Sequence, residues 1–168
     1  MMKRWLLIAV LTLSACSSQE DQVLKAKPVL TPSEMLKKIR SNNEVQNEVV
    51  FTALPDDAVI DLLSFAQRAE QAGDYVQANS LLNKAVQIDP KNPEVSQMLA
   101  EIALLQEAWP NAEKFALQSY AFGPKLGGLC RRNWLTVHFA KAAQGQPMAD
   151  YVLAKNLNEC TLVPPVRM

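Results

Sequence analysis

Residues 73–90, GDYVQANSLLNKAVQIDP, decide how the rest of the chain is read. Gly73 and Pro90 punctuate the chain as helix ends,. Between them Ala78, Leu81, Leu82, Ala85 and Val86 recur at steps of three and four, the period of a helix with one buried face,. Moving forward by 34 residues takes Ala66 to Ala100, Tyr75 to Trp109, Ala78 to Ala112 and Pro90 to Pro124. Self-similarity at this period marks a helical hairpin that cannot bury its apolar face alone and stacks on copies of itself.

This register resembles that of tetratricopeptide repeats. The first unit runs from Val59 to Asn92, with Asp56 or Asp57 capping its first helix,. In it Leu62, Phe65, Ala66 and Ala69 are expected to face Ala78, Leu82 and Ala85. The alanines let two helices approach closely, and Leu62, Phe65 and Leu82 fill the space around them. The second unit, Pro93 to Leu126, keeps Leu99, Ala100, Ala103, Ala112, Ser119 and Pro124. It departs at Ser96, where a bulky apolar residue is usual, and at Glu107, where the turn glycine belongs; Trp109-Pro110 marks the turn instead. After Gly127-Gly128 the register fails, because Trp134 falls where Ala66 and Ala100 were. Leu129–Ala143 and Pro147–Cys160, joined at residues 144–146, read as an irregular capping hairpin,. The expected fold is all-α: two tetratricopeptide units and a cap.

Length and composition agree with one helical domain plus tails. The chain has 168 residues, 49% of them hydrophobic and only five of them glycine,. Basic and acidic residues are equal at 17 each, and loss of Lys3 and Arg4 with a leader would leave 15 against 17. Nothing suggests the clustered basic face that nucleic acid requires. One histidine and three cysteines leave few options for metal or nucleophilic chemistry, so no cofactor, metal site or catalytic residue is expected. His138, between Val137 and Phe139, reads as structural, and Asp56 and Asp57 read as helix caps rather than an acid/base pair,.

Lys3 and Arg4 precede an apolar run, Trp5–Leu13, too short for a stable membrane anchor and proportioned like a secretory signal,. It ends in Leu13-Ser14-Ala15-Cys16, which resembles the lipobox of bacterial lipoproteins. The resemblance implies removal of residues 1–15, diacylglycerol on the Cys16 thiol, further acylation, and, with Ser17 rather than Asp next, sorting to the outer membrane facing the periplasm. Several acyl chains at about 0.8 kcal/mol per buried CH₂ anchor firmly. In that oxidising compartment Cys130 and Cys160 remain as an even pair, centred on residue 145 in the proposed turn, and a disulfide between them is expected over two buried thiols,.

Residues 16–55 read as a tether carrying a short helix, 56–162 as the repeat domain and 163–168 as an extended tail,. In the tether, Thr31-Pro32-Ser33-Glu34 has the form of a capping box, followed by Met35, Leu36 and Ile39 in a helix to about Ser41,. Glu44–Phe51 fits a strand, a helix extension or a ligand-like segment, with packing of Val49 and Phe51 on the first repeat favoured. Fully extended, roughly forty tether residues would reach at most about 130 to 140 Å.

In arrays of this family the first helix of each hairpin lines a concave groove. The resemblance places Leu63, Gln67, Gln71, Gln97, Glu101 and Leu105 there. The Lys/Asn/Arg set with which some members grip a C-terminal carboxylate is missing, since Leu63 and Gln67 stand at those positions. Arg131 and Arg132 read as a solvated helix face, with recognition of an acidic partner as the alternative,. Anchor, tether and groove together are similar to those of the tetratricopeptide lipoproteins that activate bifunctional penicillin-binding proteins. That likeness implies a non-catalytic outer-membrane protein that docks a peptidoglycan synthase. The alternative is a pilus or secretion-system assembly lipoprotein.

Overall fold

A computed structural model describes residues 30–41 and 56–161. The lipobox, the Glu44–Phe51 segment and the 163–168 tail lie outside the described residues. Seven helices and no strand occupy the described residues: α1 (Pro32–Ser41), α2 (Asp57–Gln71), α3 (Tyr75–Ile88), α4 (Pro93–Leu105), α5 (Trp109–Phe122), α6 (Gly127–Ala143) and α7 (Asp150–Glu159). The largest contacts join α2 to α3, α4 to α5 and α5 to α6, as in a stack of antiparallel hairpins. None of these helices is long and apolar enough to cross a membrane.

Local chemistry sets the helix starts. The Asp56 carboxylate accepts from the Ala58 N–H at 2.8 Å, Asp74 from Gln77 N–H at 2.9 Å, and the Asn92 side-chain oxygen from Val95 N–H at 3.1 Å,. At α1 the capping box is reciprocal. Thr31 N–H donates to Glu34 Oε2 at 2.8 Å, and Glu34 N–H donates to Thr31 Oγ1 at 3.3 Å,. The Thr31 backbone N–H, followed by the Thr31 hydroxyl, holds the Glu34 carboxyl below the usual carboxylate range.

The turns preserve the 34-residue register even where the sequence breaks it. Gly73 has φ 77°, its N–H donates to Glu70 O, and Asp74 N–H donates to Ala69 O. Thirty-four residues on, Glu107 has φ 58°, its N–H donates to Leu104 O, and Ala108 N–H donates to Ala103 O. The backbone therefore makes the same left-handed turn with a residue that adopts it at a cost of about 1 to 2 kcal/mol. Gly145, at φ 72°, repeats the bonding pattern a third time, 38 rather than 34 residues after Glu107. The four additional residues are about one helical turn, and α6 is correspondingly the longest helix at 17 residues,. That insertion is why Trp134 falls out of register. It lies partly buried, with its ring centroid 4.9 Å from that of Tyr120 on α5.

Ala66, Ala78, Ala85, Ala100 and Ala112 are all fully buried, at the close contacts where only a small side chain fits,. Phe65 is a correction: it is 47% exposed, with the Arg68 guanidinium 4.6 Å above its ring, and does not fill the first hairpin. Its counterpart one repeat later, Leu99, packs in a cluster with Val59, Ala66, Leu82 and Ala85 from the preceding hairpin. Phe65 occupies the same face of α2, and among the described residues no hairpin precedes α2 to cover it. Where α6 leads to α7, Gly127 N–H donates to Cys160 O at 2.8 Å, and the buried Cys130 and Cys160 bring their sulfurs within bonding distance, with Cα atoms 5.6 Å apart,.

Candidate functional site

The first helices of the three hairpins, α2, α4 and α6, contribute to one face, and α1 packs on it against α4 and α6. Ten residues make a helix too short to persist alone in water. Its apolar side chains Met35, Leu36 and Ile39 are buried in a cluster with Leu104, Ala112, Leu135 and Ala140, and Ile39 is fully enclosed. Burial of a side chain of this size contributes about 1.5 to 3 kcal/mol. Tertiary packing rather than propensity holds α1 in place.

Next to Ile39, Arg40 reaches into the face. Its Nη1 and Nη2 donate to the two Glu70 oxygens at 3.0 and 2.6 Å, while Nε and Nη2 donate to Glu101 Oε2 at 2.9 and 2.8 Å. From the opposite side Arg132 of α6 donates through Nε to Glu101 Oε1 at 2.9 Å, and its Nη2 stands 2.8 Å from the same oxygen. Arg132 Nη1 donates to Glu94 Oε2 at 3.0 Å. Gln97 Nε2 completes the set by donating to Glu101 Oε1 and to Thr136 Oγ1, both at 2.9 Å.

Glu101 is thus a fully buried carboxylate shared between arginines of α1 and α6. Burial alone would raise its pKa, but Arg132 and then Arg40, with help from Gln97, outweigh burial and hold it below the ordinary carboxylate value,. Burial would likewise lower the Arg40 pKa, and Glu70 and Glu101 reverse that and raise it. All three groups on this hub stay charged at neutral pH. The hub fixes α1, α2, α4 and α6 relative to one another because its guanidinium forks are directional.

Beside the hub an open cavity of about 490 Å³ remains, with Ile60, Leu63, Ser64 and Gln67 of α2 along one side. These four are spaced as one stripe of a helix. Met98 and Glu94 of α4, Arg132 of α6 and Arg40 of α1 form the rest of the lining.

The six groove positions expected from sequence therefore divide. Leu63 and Gln67 line the cavity, and Gln71 is exposed at the end of α2. Gln97 and Glu101 are fully enclosed, and Leu105 is partly buried against the cluster containing α1. These three do not form open surface, because α1 covers α4 on the side where α2 is bare. Arg131 and Arg132 are a second correction, since neither is a solvated face: Arg131 is buried, and Arg132 is engaged by Glu94 and Glu101. His138 packs edge-on to Phe139, with centroids 5.3 Å apart.

Sequence reasoning missed Arg40, Ile60, Glu70 and Met98. A signal was present for the hub: Arg40 shares the face of α1 that carries Leu36 and Ile39, and Gln97 and Glu101 are four residues apart in an otherwise apolar helix. Such placements demand buried partners.

A family model, "Tetratricopeptide repeat", matches residues 69–119. Among solved structures, the globular C-terminal domain of P. aeruginosa LpoP is similar at 26% identity with a TM-score of 0.54, over 62% of this chain and 96% of that domain. No curated protein matches the chain. The chain carries tetratricopeptide repeats, and the helical domain built on them is similar to the C-terminal domain of LpoP.

Proposed function

We propose that this chain is a non-catalytic outer-membrane lipoprotein, anchored through Cys16, that docks a bifunctional penicillin-binding protein and activates it. The observation that carries the reading is the open cavity on the ligand-binding face of a tetratricopeptide domain: apolar at Ile60, Leu63 and Met98, polar at Gln67, and walled by ordered arginines. Its volume, about 490 Å³, falls within the range of about 300 to 1,000 Å³ typical of ligand sites,. The resemblance of anchor, tether and repeats to lipoprotein activators of bifunctional synthases supplies the class of partner. A protein of this kind acts by differential binding to states of its partner and needs no catalytic group.

Docking of α1 shortens the tether. Only about 16 residues separate Cys16 from Pro32, a maximum reach of about 55 Å rather than the 130 Å of a free forty-residue chain. The domain then works within a short distance of its own membrane, and the partner must extend toward it. We further propose that Cys130 and Cys160 are disulfide-bonded in the protein as made. Thiol titration after denaturation should find no pair of free thiols, and two reactive thiols would remove the bond from the picture.

The functional test uses the full lipoprotein in detergent with the bifunctional synthase of the same organism and lipid-linked precursor. Glycan polymerisation or cross-linking should rise, and Leu63→Asp should abolish the rise while leaving the helical circular dichroism unchanged. Absence of binding to any such synthase, with capture of a secretin from cross-linked envelopes, would replace this reading with pilus or secretion-system assembly.

A further inference from the structure

The α1 helix lies on the concave face as a bound helical peptide would. Met35, Leu36 and Ile39 are its anchors at spacings of one and four, and Arg40 is clamped by two carboxylates at its end,. It covers the second half of α4, where Ala103 and Leu104 sit, and the part of α6 that carries Leu135 and Ala140. The part of the face formed by α2 and the start of α4 stays open.

We propose that α1 is a built-in ligand of this face: it fills the α4–α6 half and supplies, through Arg40, one wall of the α2–α4 half, where a short apolar segment of the partner protein docks. This rests on the docking function proposed above and adds where the partner sits and what it must present.

The partner's chemistry follows from donor accounting. An arginine has five N–H donors. Arg40 directs Nε–H, both Nη2–H and one Nη1–H at Glu70 and Glu101, which leaves one Nη1–H. Arg132 directs Nε–H and one Nη2–H at Glu101 and one Nη1–H at Glu94, which leaves two. Three donors of ordered arginines that line the cavity therefore remain for a ligand, beside the apolar floor of Ile60, Leu63 and Met98. Of the charged groups lining the cavity, two are cationic and one, Glu94, is anionic. A segment with an apolar side chain and adjacent oxygen acceptors, either backbone carbonyls in an extended stretch or a carboxylate, complements that surface. A basic segment does not.

The test combines hydrogen exchange with binding of the full lipoprotein, in detergent, to the purified bifunctional synthase. In the unaltered protein the α1 amides should exchange slowly, and bound synthase should slow exchange around residues 60–67 without changing the half already under α1. Ile39→Asp should release α1 to open-chain exchange rates, speed exchange in the second half of α4, and weaken synthase binding tenfold or more. Arg40→Lys, which keeps the charge and loses the fork, should leave α1 protected and weaken binding severalfold, with Arg40→Gln weaker still. Ile39→Asp binding as tightly as, or more tightly than, the unaltered protein overturns the proposal, because α1 would then be a bystander or a competitor. So does unaffected binding in Arg40→Lys, which also keeps the proposal testable if Ile39→Asp fails to fold. Failure of the unaltered protein to bind any synthase would instead sink the functional reading. The place of α1 would then be judged on exchange alone, and unchanged protection of α4 in Ile39→Asp would overturn it.

Discussion

Helices α2 and α4 occupy the same place in successive hairpins, yet few of their equivalent positions share an environment. Gln67 lines an open cavity and its counterpart Glu101 is fully buried; Phe65 is half exposed while Leu99 is buried. Leu63, at the cavity, corresponds to the enclosed Gln97. The difference arises from neighbours rather than from the repeat. α4 has a hairpin on each side and α1 across its concave face, and α2 is the first repeat helix among the described residues. A tetratricopeptide position therefore specifies direction in the hairpin, while the local stack decides whether that direction meets protein or solvent.

The largest test of this contrast substitutes the same register position twice. Glu101→Ala should destabilise by about 3 kcal/mol in urea unfolding, because it leaves Arg132 deep in the hub with Glu94 alone and takes half of the partners from Arg40,. Gln67→Ala should change stability by less than about 0.5 kcal/mol, as an exposed substitution does. Comparable losses at the two sites would mean that burial by α1 is not what distinguishes them.

The next pair probes the stack itself. Leu99→Ala should cost about 2 to 3 kcal/mol by leaving a cavity between hairpins, and Phe65→Ala less than about 1 kcal/mol,. A large loss at Phe65 in the full chain would show that a segment beyond the described residues covers it.

The hub also has a pH signature. With its folded pKa below the ordinary value of 4.5, Glu101 contributes stability that is fully present above the unfolded pKa and lost as pH falls through the folded one,. Unfolding free energy should hence be level above about pH 5.5 and drop below about pH 4.5, with a shallower drop in Glu101→Gln. A midpoint in urea that does not move between pH 6 and pH 3.5 would contradict the hub as described.

The smallest effect concerns the turns. Glu107→Gly should stabilise by about 0.5 to 1 kcal/mol by relieving the left-handed backbone, and Gly73→Ala should destabilise by about 1 kcal/mol at the equivalent place, where open space around the missing Cβ leaves backbone strain as the cause,. Opposite signs at two sites 34 residues apart would show that the turn, not the residue, is what the register preserves. Equal signs would break that equivalence.

The sequence by itself determined the hairpins. Periodic alanines and leucines, the caps at Asp56, Asp74 and Asn92, and the 34-residue spacing are local signals, and local hydrogen bonds and close helix contacts act on them directly,. The α1 helix was legible for the same reason, since Thr31 and Glu34 cap it within one turn. Where α1 goes was not legible, because an amphipathic helix declares that it has a partner without naming it. Only the tertiary structure decided that Arg40 meets Glu70 and Glu101, 30 and 61 residues away, that this contact encloses Gln97 and Glu101, and that the open groove is confined to α2 and the start of α4. Charge pairing across such separations depends on how three hairpins stack, and no window of sequence short enough to read contains it.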